Sequence, residues 1–404
     1  MIGREIEPYL KGVFKKFPVV TVTGPRQSGK TTLVKHVFRS KPYVNLEHPE
    51  EREFAASDPR AFFRRYPAGA VLDEVQRVPA LLSYVQSIVD ERGQNGMFVL
   101  TGSSQFELMR SISQSLAGRT ALLKLLPFSL SELRRHAHFP GGIDEMIHKG
   151  FYPRLYDQDI DPVRAYGDYL ETYVERDLRH LAMVKNLGVF QKFVRLCAGR
   201  IGQVLNLSSL GNDVGVTHTT AREWITLLET SYIVFLLEPY HRNIGKRLIK
   251  SPKLYFYDVG LASYLIGIED PAHIAHHPLR GNLFENLVLM EFLKHRFHRG
   301  QRSNLSFFRD RTGNEIDLLY TISEDILAVE VKSGETLSSS LFRSFAVLDK
   351  ALKERQPAKA LVYGGNRRET RSGIQITDVY GIEPLLKEFD KTGSADRGQG
   401  EVSL

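Results

Sequence analysis

Gly24-Pro25-Arg26-Gln27-Ser28-Gly29-Lys30-Thr31 is the stretch whose reading decides the fold. It stands between the apolar run Val19-Val20-Thr21-Val22 and the helix-like TTLVKHVF. A glycine-rich turn joining a strand to a helix lets backbone N–H groups and the positive helix end surround a polyphosphate. Glycine serves where the chain must bend tightly and approach oxygen closely. Gly24, Pro25, Arg26, Gln27, Ser28, Gly29, Lys30, Thr31 and Thr32 are therefore expected to hold ATP. Lys30 would reach the β and γ phosphates as a catalytic group, and Thr31 would ligate Mg2+.

Further along, Ala70-Val71-Leu72-Asp73-Glu74 reads as an apolar strand ending in two acids. Asp73 would hold the metal through water, and Glu74 would polarise the attacking water as the catalytic acid–base group. The strand from Met97 runs into Thr101-Gly102-Ser103-Ser104. These hydroxyls suit the γ phosphate or the water, with Ser103 as the expected nucleotide contact, although a plain polar turn accounts for them equally well. Arg119, in the loop of SLAGRT, is placed to act across a subunit boundary as an arginine finger. Surface arginines are common, so its position alone does not decide this.

Working outward, FPVVTVTG, TTLVKHVF, YVNLE, AVLDE and MFVLTGS alternate strand and helix patterns, which implies a parallel sheet covered by helices and an α/β fold class. At 404 residues the chain exceeds what one core organises. The expected divisions are 1–158 for the P-loop core, 159–196 for a helical lid or linker, 197–250 for a winged helix-turn-helix, 251–390 for a second α/β domain and 391–404 for a disordered polar tail. Composition is that of an ordinary globular chain, with 42% hydrophobic and 25% charged residues. The single cysteine, Cys197, excludes a disulfide framework and a cysteine-based zinc site. The start lacks the pattern of a secretory signal and no apolar run spans a bilayer, so a cytoplasmic protein without membrane partners is expected.

In the middle, Ser208 is expected to cap a short helix, Gly215 to sit in a turn, and Thr217 to open a second helix ending near Glu229. That helix would present Thr217, His218, Thr220 and Arg222 to base edges or phosphates. Arg242, Lys246, Arg247, Lys250 and Lys253 follow without an acid, as a DNA phosphate-binding wing would. A net charge of +7 fits a polyanionic partner. The competing reading is an adapter that serves oligomer contacts, with the charge run as a solvated face.

In the last third, Glu285 lies on a helix, Asp317 in NEIDLLY, and Glu330 and Lys332 in AVEVKSG. Alternation along a strand points Glu330 and Lys332 the same way. Asp317 and Glu330, approached by Glu285, could converge on Mg2+, with Lys332 orienting a water as a catalytic group. Glu315 shares the strand face of Asp317.

Two resemblances follow from these pieces. GPRQSGKTTL, VLDEVQ, LTGSS, LAGRT, LPFSLSEL, GFYPRLY, YVERDL and DVGLASYL together resemble a prokaryotic branch of the AAA+ ATPases carrying an uncharacterised C-terminal domain. The resemblance implies a homo-oligomer, such as a ring, with ATP at subunit contacts, and it raises Arg154 and Arg176 as nucleotide-sensing residues. The C-terminal acids resemble the metal site of PD-(D/E)xK nucleases, with Ile316 where that family's proline usually stands. Two functions remain open at this level: an ATPase coupled to DNA binding or cleavage, and a nucleotide-gated signalling or defence switch that contacts a protein partner through an inactive nuclease-like domain.

Overall fold

The computed structural model describes residues 2–102, 112, 114–135, 139, 141–173, 186–240, 250–337, 343–352 and 356–395. Its N-terminal unit is a parallel sheet in the order β2-β3-β4-β1-β5, built from β1 (Val19–Thr23), β2 (Tyr43–Asn45), β3 (Val71–Asp73), β4 (Phe98–Thr101) and β5 (Thr120–Lys124). Every residue of β1, β3 and β4 is buried, as expected of parallel strands covered on both faces. The covering helices are α1 (Glu7–Phe14), α2 (Lys30–Val37), α3 (Pro49–Ser57), α4 (Pro59–Arg64) and α5 (Leu81–Arg92). β5 escaped the sequence reading because TALLK is half exposed and flanked by charge. Its register on β1, Thr23 opposite Lys124, sets the chain beyond it beside the P-loop.

That chain forms α6 (Leu130–Leu133), α7 (Ile143–Lys149), α8 (Pro153–Asp157) and α9 (Pro162–Tyr173). Next come α10 (Leu187–Ala198), α11 (Leu207–Val214) and α12 (His218–Thr230), with the antiparallel pair β6 (Val234–Leu237) and β7 (Lys253–Phe256). The turn between α11 and α12 follows the sequence: Gly215 is left-handed at φ 79°, and the Thr217 hydroxyl accepts from Thr220 N. The cap of α11 is Asn206 rather than Ser208, because the Asn206 side chain accepts from Ser209 N. Phe190 and Phe193 of α10 meet Trp224 of α12 edge-on, at 5.1 and 5.2 Å, so α10 packs on the α11–α12 pair. KLYFYD, read as the opening strand of the second α/β domain, pairs with β6 instead.

The C-terminal unit begins with α13 (Val259–Leu265), α14 (Pro271–Ile274) and α15 (Arg280–His298). A mixed sheet in the order β12-β13-β11-β10-β9-β8 follows. Its strands are β8 (Leu305–Arg309), β9 (Glu315–Ile322), β10 (Asp325–Lys332), β11 (Ala358–Tyr363), β12 (Glu369–Arg371) and β13 (Ile374–Thr377). β8, β9 and β10 are antiparallel, and β11 joins β10 in parallel after α16 (Arg343–Leu352). α17 (Ile382–Ala395) runs past Lys391, so the first residues of the expected tail are helical. Among the described residues no helix is long and apolar enough to cross a membrane.

One apolar cluster extends from Leu126 to Leu386, while the clusters beneath the first sheet use residues between Ile6 and Leu125. A polar joint spans this division. Glu5 Oε2 lies 3.0 Å from His298 Nδ1 on α15, and Ser131 donates to Glu5 at 2.7 Å. Burial alone would raise the Glu5 carboxyl, but the His298 hydrogen bond and charge, with Ser131 and Arg135, hold it down at about 2. A carboxylate depressed below its unfolded value stabilises the fold above about pH 4.5 and loses that contribution as pH falls toward 2. Glu5→Gln should therefore cost about 2 kcal/mol at pH 7, after allowing for partial exposure. The gap between variant and wild type in thermal unfolding should close as pH falls from 5 to 2.5; a gap independent of pH would contradict the account.

Candidate functional site

The parallel register brings the C-terminal ends of β1, β3 and β4 to one edge of the first sheet. Gly24 leaves β1 at φ 143°, and a Cβ there would stand 2.1 Å from the Leu125 carbonyl oxygen, so the loop requires glycine. Gly29 is left-handed at φ 89° and precedes α2, turning the helix N-terminus and its free N–H groups toward the loop. Lys30 is 7% exposed, and its Nζ donates to Gly24 O at 3.0 Å and Pro25 O at 2.7 Å. Burial pushes its ammonium down to about 8, against the pull of Glu74 and Asp73.

Asp73 is the centre of the site. It is 3% exposed and accepts three hydroxyls: Thr31 Oγ1 at 2.8 Å, Tyr43 at 2.6 Å, and Thr101. Burial, then the bond to Asp73, push the Tyr43 phenol well up. Glu74 is left-handed at φ 58° and accepts from Gln76 Nε2. The Thr31–Asp73 pair fits Mg2+, which takes few protein ligands and keeps waters and phosphate oxygens.

A cleft of ≈ 680 Å³ opens over the loop. Arg26, Gln27, Lys30, Thr31, Thr32 and Glu74 form its polar wall, and Ile2, Phe128, Pro153 and Tyr156 give it an apolar side. Arg154 lines it too, with Nε donating to Gln158. Arg4 was not legible as part of this region. Its guanidinium is buried and donates to Ser28 O at 2.8 Å, Leu126 O at 2.7 Å and Glu132 at 3.1 Å. Tyr43 was missed as well, being a strand-end tyrosine with no motif around it, and Thr101 meets Asp73 where a phosphate contact was expected. On the other side of the loop, the Tyr232 and Thr23 hydroxyls are 3.1 Å apart, so the turn after α12 touches the last residue of β1.

Other expected residues lie elsewhere. Arg119 precedes β5 at the end of the sheet opposite the P-loop, with its main chain on Val19 N, and it forms a two-pronged pair with Asp90 at 2.6 and 2.8 Å. It is therefore no part of its own chain's ATP cleft. Ser103, Arg176, Arg242, Lys246 and Arg247 lie outside the described residues. On α12, His218, Thr219 and Arg222 are exposed, while Trp224, Ile225 and Leu228 are buried.

The C-terminal acids do come together, accompanied by lysines. Lys332 Nζ lies 3.2 Å from Asp317 and 2.9 Å from Glu330, and Asp317 also accepts Val331 N at 2.8 Å. Burial, then the charge of Asp317, push both Glu285 and Glu330 up to about 7. Lys253, expected on a solvated wing, is 2% exposed and pairs with Glu285 at 3.0 Å and with Glu315. Ammonium groups hold Glu285 Oε1, Asp317 Oδ2 and Glu330 Oε2, while Glu330 Oε1 is buried without a hydrogen-bond partner, and no group of three His, Cys, Asp or Glu side chains able to hold a metal occurs among the described residues.

Residues 16–134 match the AAA domain family, 141–272 a domain of unknown function (DUF8612), and 280–382 another domain of unknown function (DUF4143). The AAA match supports an AAA-type ATPase. The chain is 30% identical over 397 residues to the uncharacterized protein Rv2008c of Mycobacterium tuberculosis, covering 97% of this chain and 86% of that one. It is 22% identical over 386 residues to the uncharacterized protein MJ1544 of Methanocaldococcus jannaschii, covering 88% and 82%. Among solved structures, the Walker-type ATPase PABY2304 of Pyrococcus abyssi is similar at 15% identity and TM-score 0.45, over 66% of this chain and 96% of that one.

The geometry of Gly24 makes a direct prediction. Gly24→Ala should lose about 3 kcal/mol or more of stability, or the loop shape, because the added carbon meets backbone. Gly118→Ala, also left-handed at φ 76° but with open space around it, should cost only about 1 kcal/mol. Equal losses in urea unfolding would rule out the close approach to Leu125 as the cause.

Proposed function

This chain belongs to one family with Rv2008c of Mycobacterium tuberculosis, and on that premise we propose that it is an AAA-type ATPase that binds ATP with Mg2+, hydrolyses it and passes the nucleotide state to a DNA-binding winged helix. The observation that carries the ATPase reading is the set formed by Lys30 in the loop, Thr31 on Asp73, and Glu74 beside them. Lys30 would neutralise the β and γ phosphates, Thr31 and Asp73 would hold the ion, and Glu74 would orient the water. The apolar side of the cleft, with Phe128 and Tyr156, suits a nucleobase. Arg119 could meet only the nucleotide of a neighbouring copy, after giving up Asp90, and such a homo-oligomer is part of this reading.

The DNA role rests on α11, α12 and the β6–β7 pair, which support a winged helix with Thr217, His218 and Arg222 outward and Thr220 half-buried beside them. Tyr232 on Thr23 is the contact by which the loop would influence it. The order α15, β8, β9, β10, α16, β11, with Glu285 on the helix, Asp317 on β9 and Glu330 and Lys332 on β10, supports a PD-(D/E)xK-like unit. Lys253 on Glu285 and Glu315 favours the reading in which this unit serves DNA binding, protein contacts or assembly over metal-dependent cleavage.

ATP turnover with and without duplex DNA tests this. Lys30→Ala should lose nucleotide binding and lower turnover at least about 100-fold, while Glu74→Gln should keep ATP bound and lose hydrolysis to a similar degree. Retained turnover in the Lys30 variant would sink the ATPase reading. DNA affinity should fall steeply with added salt, and charge reversal at Lys246, Arg247 and Lys250 should reduce both affinity and salt slope. Stimulation by a protein partner with indifference to DNA would move the function to a signalling or defence switch.

A further inference from the structure

The carboxylate cluster between the β6–β7 hairpin and the C-terminal sheet contains a cation supplied by the chain itself. Lys253 opens β7 opposite Leu237, and its side chain runs inward past the Phe307 ring, 5.5 Å from the ammonium, to end on Glu285 of α15 and Glu315 of β9. Tyr255, two residues along and on the same face of the strand, donates its hydroxyl to the same Glu285 Oε1 that Lys253 holds. Arg309 takes the other oxygen of Glu315 at 3.1 Å, and Lys332 takes Asp317 and Glu330. Burial alone would depress the Lys253 ammonium, yet Glu285, Asp317 and Glu315 together raise it, so the lysine is held in charged form.

A divalent ion at this cluster would have to contact Glu285 and Asp317 at 2.0–2.6 Å. The ammonium on Glu285 Oε1 already holds one of the oxygens such an ion would need and repels it by like charge. The cluster is also a poor site for an uncompensated group, because taking Lys253 away would leave buried carboxylates facing each other. We propose that Lys253 is a tethered counter-cation on the Glu285 side of the cluster, so that the cluster joins the β6–β7 hairpin to the C-terminal sheet and stays closed to divalent ions. The inference rests on the PD-(D/E)xK-like reading of Glu285, Asp317 and Glu330, and it goes beyond that reading by assigning the site's occupant to a strand outside the sheet.

The test is Mn2+ binding to the full-length, nucleotide-free chain, followed by the electron paramagnetic resonance of the free ion. The cluster's share is read as the part lost on Asp317→Asn. Wild type should show no such share up to millimolar Mn2+. Lys253→Ala, or Lys253→Met, which keeps the buried stem, should gain one Mn2+ per chain, bound at least about tenfold more tightly than in wild type. Lys253→Arg, which keeps the charge, should gain none. Mn2+ bound by wild type and lost on Asp317→Asn would overturn the counter-cation while leaving the acid cluster a metal site, and this measurement needs no Lys253 variant to fold. A folded Lys253→Met chain, with unchanged far-UV circular dichroism, that gains no Mn2+ would overturn the underlying reading of the acids along with the proposal.

Discussion

The guanidinium of Arg4 is the constraint on which the arrangement depends. Its three contacts fix the carbonyl of Ser28 inside the P-loop, the carbonyl of Leu126 where the chain leaves the first sheet, and the carboxylate of Glu132. Glu132 is fully buried and also accepts the main-chain N–H groups of Glu5 and Ser129, the latter as half of a capping box. Burial alone would raise its carboxyl, and Arg4, His298 and those two donors hold it below the ordinary range. Such a group tolerates no missing partner, because an unpaired charge in a low-dielectric interior costs several kcal/mol. The phosphate loop therefore cannot shift without a change felt at Glu132 and, through His298, on α15.

α15 carries this further. Near its C-terminal end, Glu291 accepts Leu130 N at 2.9 Å and Lys294 donates to Phe128 O at 2.7 Å, so the helix is seated on the segment that lines the nucleotide cleft. Glu285 lies 13 residues before His298, about 20 Å along the axis. A single rigid element thus touches the surroundings of the ATP loop and the carboxylate cluster. Phe151 N, Tyr166 and Leu261 N all converge on Asp258, which joins GFYPRLY to DVGLASYL in the same body.

Sequence patterning made the first sheet, the P-loop, the pair α11–α12 and the order of the C-terminal acids legible, because each rests on local spacing. It could not reach interactions between distant segments. An arginine in Ile2-Gly3-Arg4-Glu5 looks like any surface arginine until Leu126 and Glu132 are brought to it. Lys253, in a run of basic residues, reads as solvated, and the strand it opens is buried along its whole length, so no alternation betrays which way the lysine points. The side of the sheet that Arg119 occupies was illegible for a related reason: its loop is local, but its place is set by the parallel pairing of β5 with β1.

The apolar cluster running from Leu126 to Leu386 bears on how the chain can be divided. Sequence composition suggests seams near residues 158, 196 and 250, yet side chains on both sides of each belong to that cluster, including Tyr156, Phe190, Val234 and Phe256. The place where hydrophobic continuity breaks is between Leu125 and Leu126, just after β5. Helices α10 to α12 and the C-terminal sheet are then not separable from each other. They form one block that must be inherited, exchanged or lost together, and a gene fusion that kept the first 250 residues alone would carry an open core.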